Sequence, residues 1–205
     1  MKSITSVFLA SLVLAVACGQ SKPNENATVE NEKEKAEDME VIFSPDSSIS
    51  SKIYLHYPSS TTENLGDIMS MVDANKDLPD AFFKSQSGEE YLQVIVFPGN
   101  EANSISQFVV GYPSNLPKSE KLKPLEMTSL QTESGVKLGM RKKDLISIKG
   151  SSYKEEMVDG QQRLSYEISK STSSFLNRYN MPVYIAEYWF KEDKLYKYKF
   201  GFEYP

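Results

Sequence analysis

Two runs near the C-terminal end, residues 183–191 and 195–204, alternate aromatic or aliphatic residues with charged ones. A period of two is the pattern of a strand with one buried face, and two such runs this close together form a hairpin. In the second run Tyr196, Tyr198, Phe200, Phe202 and Tyr204 share one face, and Lys197, Lys199 and Glu203 share the other. In the first run the matching positions are Tyr184, Ala186, Tyr188 and Phe190. Loop length decides whether the two faces agree. A two-residue loop, Glu192-Asp193, sets Tyr188 opposite Lys197 and Phe190 opposite Leu195, and mixes them. A three-residue loop ending at Lys194 pairs Phe190 with Tyr196, Tyr188 with Tyr198, Ala186 with Phe200 and Tyr184 with Phe202. That register is the expected one, with Lys194 at positive φ. The face is expected to lie under a helix over residues 140–149. The alternative leaves an exposed stacking platform, and its candidate binding residues are Tyr184, Tyr188, Trp189, Tyr196 and Tyr198.

The covering helix is read from residues 135–150. Val136 and Leu138 fall at strand spacing, and Gly139 sits where a strand turns into a helix, a place that favours positive φ. Leu145, Ile148 and Met140 or Arg141 then fall at helical spacing, and Gly150 stands at the C-terminal stop. Arg141, Lys142 and Lys143 could hold an anion at the helix N-terminus, although basic residues there oppose the helix dipole. The strand, the Gly-x-x-Leu-Gly-Met text, the short helix and the closing glycine resemble a motif of small bacterial envelope lipoproteins. In looser form the pattern is similar to outer-membrane assembly lipoproteins and β-lactamase-inhibitor-like modules. Many such proteins carry Ser or Thr after the Met as a helix cap, where this chain has Arg141. The resemblance transfers no binding residue.

Elsewhere residues 51–57 read as a strand with Ile53, Leu55 and Tyr57 on one side. Thr61 or Thr62 is expected to cap a helix carrying Leu65, Ile68, Met69 and Val72. Strands are expected at 90–97, 104–112, 127–133 and 164–169, a Pro- and Lys-rich link at 114–124, and a turn or strand edge at 175–180. The sum is an α+β fold, a mostly antiparallel sheet with one or two short covering helices. Residues 40–118 and 119–205 read as two similar halves, each running strand, helix, strands. They end in related text, Val110-Gly111-Tyr112-Pro113 and Phe202-Glu203-Tyr204-Pro205.

The N-terminus indicates where the protein is sent. Lys2 precedes an apolar run from Ile4 to Ala17, about 21 Å as a helix and short of a ~30 Å hydrocarbon core. Residues 1–17 therefore read as a signal peptide. Cys18, the single cysteine of the chain, follows Ala15-Val16-Ala17, which resembles a bacterial lipobox with Ala15 in place of the usual leucine. The resemblance implies cleavage before Cys18 and a diacylglycerol thioether on it, with further acylation such as palmitate giving a stable membrane anchor. Gly19 and the absence of Asp beside Cys18 resemble the outer-membrane default of Gram-negative cells. Residues 18–39 read as a polar tether with too little apolar surface to fold, and 40–205 as the domain.

The chemistry that can be read is sparse. His56 is the only histidine, and with one cysteine the chain lacks the ligands of a Cys/His zinc site. No Gly-x-Ser-x-Gly elbow occurs. Asp73-Ala74-Asn75-Lys76-Asp77 opens like a calcium loop, but Leu78 stands where glycine is needed and Lys84 where the bidentate Glu belongs. No cofactor is expected. Lys and Arg total 23 against 28 Asp and Glu, a net charge of −5, which argues against nucleic acid as a partner. Two functional readings follow. One is a non-enzymatic envelope lipoprotein, a module that binds or scaffolds an envelope protein or glycan. The other is a small hydrolase or lyase that acts on envelope glycans with carboxylates or tyrosines.

Overall fold

The computed structural model describes residues 43–72, 76–117 and 120–203. These all belong to the compact unit Met39–Pro205. Cys18, the tether, Tyr204 and part of the Asp73–Asp77 loop lie outside the described residues.

The architecture is α+β. A short ribbon of β1 (Ser48–Ile49) and β2 (Ile53–Tyr54) leads into helix α1 (Pro58–Leu65). Next come β3 (Asp80–Lys84), β4 (Tyr91–Ile95), β5 (Gln107–Gly111) and the two-residue β6 (Lys123–Pro124). Helix α2 (Lys142–Lys149) precedes β7 (Lys154–Val158) and β8 (Gln161–Ile168). Helix α3 (Ser174–Tyr179) connects to β9 (Val183–Lys191) and β10 (Lys194–Glu203). The main sheet has eight strands in the order β6-β3-β4-β5-β10-β9-β8-β7. All neighbours are antiparallel except β3 and β6. Each half of the chain thus supplies a meander preceded by a helix. The last strands of the two halves, β5 and β10, meet at the centre.

One face of this sheet buries a smaller cluster of Tyr91, Ile95, Phe97 and Val109, and the other carries the main core. Phe83, Leu92, Val94, Phe108, Val110, Leu164, Tyr166, Tyr184, Ala186, Tyr188, Phe190, Leu195, Tyr198, Phe200 and Phe202 are buried there. Leu65 of α1, Leu145 of α2 and Leu176 of α3 close over them, with Leu125, Met127, Leu130, Val136 and Leu138 from the connecting segments. Each buried Val, Leu, Met or Phe side chain contributes roughly 1.5–3 kcal/mol on burial. The tyrosines do more than fill space: a buried hydroxyl usually finds a partner, and of Tyr166, Tyr184, Tyr188 and Tyr198 only Tyr188 lacks one among the described residues. Tyr184 donates to the Asp46 carbonyl at 2.8 Å, Tyr198 to that of Leu130 at 2.6 Å and Tyr166 to that of Gly150 at 2.8 Å. All three carbonyls lie in the covering layer, so the tyrosines act as posts that fasten the cover to the sheet.

Several sequence expectations are corrected. The hairpin turns on two residues, Glu192 and Asp193, at φ 50° and 59°, and Lys194 is not in the left-handed region. Lys194 pairs with Lys191 and Leu195 with Phe190. A bulge at Tyr196 then adds one residue, after which Tyr198, Phe200 and Phe202 face Tyr188, Ala186 and Tyr184 as expected. The bulge repairs the register that a two-residue loop alone would have broken. Helix α2 begins at Lys142, because Gly139 and Met140 pair with Leu195: Gly139 N–H donates to the Leu195 carbonyl at 2.7 Å and Leu195 N–H to the Met140 carbonyl at 2.8 Å. Helix α1 starts at Pro58 and stops at Gly66 (φ 79°), leaving Ile68–Ser70 as a separate 3₁₀ turn. Residues 175–180 fall largely in α3, capped by Ser173 and closed by Asn180 in the left-handed conformation. Residues 127–133 make only a single bridge, Thr132 to Ile49. The expected strand over 51–57 breaks at His56 (φ 51°), and Tyr57 is exposed.

Candidate functional site

The five aromatic residues that sequence proposes as a binding surface do not share a face. Tyr184, Tyr188 and Tyr198 are 0% exposed and belong to the core. Their large apolar rings gain more from burial than from water. Trp189 and Tyr196 are half-buried on the opposite, open face. Trp189 is there because strand alternation turns it away from Tyr188. Tyr196 is there because a bulge places two residues, Tyr196 and Lys197, opposite one.

Cross-strand pairing builds the open face in rows. One row runs Glu156, Arg163, Trp189, Lys197. The next holds Ser165, Glu187 and Lys199. Lys197 Nζ lies 4.6 Å from the Trp189 ring centroid, a cation–π contact, while burial, with Lys199 adding to it, lowers the pKa of the amine. Arg163 donates to Glu187 at 2.7 Å and to Glu156, and Lys199 pairs with Glu203 at 3.1 Å. This grid is internally compensated and holds its side chains in place.

At the hairpin end the grid opens into a cleft of about 450 Å³ lined by Tyr112, Ser114, Asn115, Gln161, Lys191, Glu192, Lys194, Leu195 and Tyr196. Tyr112 follows β5, and the 3₁₀ turn Pro113–Asn115 brings Ser114 and Asn115 beside it. The Tyr196 hydroxyl donates to Gln161 Oε1. Tyr91 lies under this end, and its ring occupies the space that a side chain at residue 111 would fill: a Cβ on Gly111 would come within 2.7 Å of it. Burial, then proximity to Tyr196, pushes the Tyr91 hydroxyl up to about 12. Burial also raises Tyr112, with Glu90 and Glu89 adding to it, and raises Tyr196, with Asp159 adding to it. Both cleft phenols are therefore neutral hydrogen-bond donors at physiological pH.

Three acids, Asp46, Glu90 and Glu133, have partners that tie the covering layer together. Asp46 pairs with Lys149 at 2.6 Å, both side chains almost wholly buried. Lys149 also donates to the Ser44 carbonyl at 2.9 Å and lies 5.7 Å from the Phe43 ring centroid. Burial raises the Asp46 pKa against the pull of Lys149. Glu90 accepts from Leu130 N–H at 2.6 Å, and burial raises its pKa. Glu133 accepts from the backbone and hydroxyl groups of Ser47 and Ser48. His56 packs edge-on against Phe202 at 5.1 Å, and burial lowers its pKa. Among the described residues no three His, Cys, Asp or Glu side chains converge as a metal site.

Sequence reasoning misses Tyr112, Asn115, Gln161, Lys191, Glu192 and Lys194 as a group, since three separate strand ends bring them together. The one local signal is a glycine before Tyr112, which leaves room for the Tyr91 ring. No protein-family model matches the chain, and comparison with curated proteins and with solved structures returns no match.

Proposed function

We propose that this chain is a non-enzymatic lipoprotein of the cell envelope, anchored through Cys18, whose domain binds an envelope protein or glycan at the hairpin-end cleft. The outer membrane is the proposed site of anchoring. The observation that carries the reading is the bulge that sets Tyr196 on the open face, in one cleft with Tyr112 and beside the Trp189–Lys197 pair. Half-exposed tyrosines among fixed polar groups are the usual material of recognition surfaces. A glycan hydrolase of the common kind needs two carboxylates across its site. The described lining of this cleft offers Glu192 alone.

The test is affinity capture from native envelopes with the Cys18-anchored protein as bait. Capture that is lost in both Tyr112→Ala and Tyr196→Ala supports the reading. Capture indifferent to both overturns it. Palmitate labelling with fractionation checks the anchor: Cys18→Ala is expected to be unlabelled and free of the membrane fraction.

A further inference from the structure

We infer that the hairpin-end cleft is a site for an uncharged oligosaccharide, with a sugar ring stacked on Tyr196 or Tyr112 and its hydroxyls held by Asn115, Gln161, Lys191 and Glu192. This deepens the binding reading above and rests on it.

Four observations favour sugars over other ligands. The cleft of about 450 Å³ lies within the usual size range of small-ligand sites. It combines two half-exposed phenol rings with two planar amides, and a pyranose presents apolar C–H faces ringed by hydroxyls. Its lining carries both signs: Lys191 and Lys194 stand opposite each other across the hairpin with Glu192 in the turn between them, and Asp193 stands in the same turn outside the lining. That arrangement does not select a polyanion. The cleft also lies beside paired strands, since β10 is hydrogen-bonded to β5 and β9, and Gly139 and Met140 pair with its first residues. A peptide cannot add there as an extra strand, because strand addition needs a free edge. A lipid chain would meet polar walls.

The cleft also provides its own reporter. Trp189 is the only tryptophan of the chain, and it sits opposite the bulge that carries Tyr196. The experiment titrates tryptophan fluorescence of the full chain, in a detergent without a sugar headgroup, with neutral tetrasaccharides of gluco, manno, galacto and N-acetylglucosamine type. A saturable change with at least one of them is expected. Its affinity should fall at least tenfold in Tyr196→Ala and in Tyr112→Ala, and should largely survive Tyr196→Phe, which keeps the ring. Circular dichroism of each variant shows whether the fold is intact. If Tyr112→Ala fails to fold, Asn115→Ala, an exposed position on the same 3₁₀ turn, replaces it with the same expectation. No saturable change with any probe, or saturation unaffected by the cleft variants, overturns the inference. Should sugars fail while tyrosine-dependent capture of an envelope protein persists, the saccharide assignment falls and the binding function stands. Loss of both removes both.

Discussion

Lys149 and Asp46 show how much one pair of residues can govern. Both are withdrawn from water, and each is the other's principal compensation. Removing one partner of such a pair leaves a buried charge alone, at a cost of about 3–5 kcal/mol. Lys149→Met and Asp46→Asn should each lower stability by that order. The double substitution should be more stable than the sum of the singles implies, measured by urea denaturation as a double-mutant cycle. Additive losses would mean that the two groups do not interact. Phe200 is fully buried and stands 5.3 Å from Phe108, whereas Lys199 lies on the open face. Phe200→Ala should cost roughly 3–5 kcal/mol, and Lys199→Ala should stay within about 0.5 kcal/mol of the parent. His56 gives a pH signature. Burial lowers its pKa below 6.5, so between the folded value and 6.5 the unfolded chain binds more protons. Its contribution is complete above 6.5 and is lost as the pH falls through the folded value. In the pH range 5–7 the melting temperature of His56→Gln should depend less on pH than that of the parent.

The hairpin shows which parts of an element are legible in sequence. Alternation at Tyr198, Phe200 and Phe202 against Tyr188, Ala186 and Tyr184 can be read directly, because a one-residue slip would expose three aromatic rings. The turn cannot. Glu192 and Asp193 both adopt positive φ without being glycine, so the text gives no sign of a two-residue loop and a bulge. Asp193→Gly should relieve left-handed strain and stabilise the chain by up to about 1 kcal/mol, visible as a higher melting temperature. An equal or lower value would argue against that turn. Strand β7 escapes sequence reading for a related reason. At the sheet edge Lys154–Val158 pairs on one side only and holds no buried residue, with Met157 68% exposed. Without a buried face a strand shows no alternation. The caps of α3 are visible as Ser173 and Asn180, but a single buried residue, Leu176, leaves no periodicity to join them.

Across the molecule two meanders share one sheet, and three buried tyrosines, Tyr166, Tyr184 and Tyr198, fasten the cover to it. Sequence identifies that aromatic face and its burial. It does not show the cleft proposed for recognition, where β5, β8 and the hairpin end converge. The compact unit begins at Met39, so a chain starting there should melt at the temperature of a chain starting at residue 18, checked by calorimetry. A loss of several degrees would mean that residues before 39 contribute to the fold. The cleft beside Tyr196, and not the aromatic ladder of the core, is the surface proposed to meet a partner. Photo-crosslinking in living cells tests this, with a photoreactive phenylalanine analogue at position 196 of the full chain and, in a second variant, at exposed Lys52. A discrete adduct is expected from position 196, one that Tyr112→Ala abolishes and position 52 does not give. No adduct from position 196, or the same adduct from both positions, would contradict it.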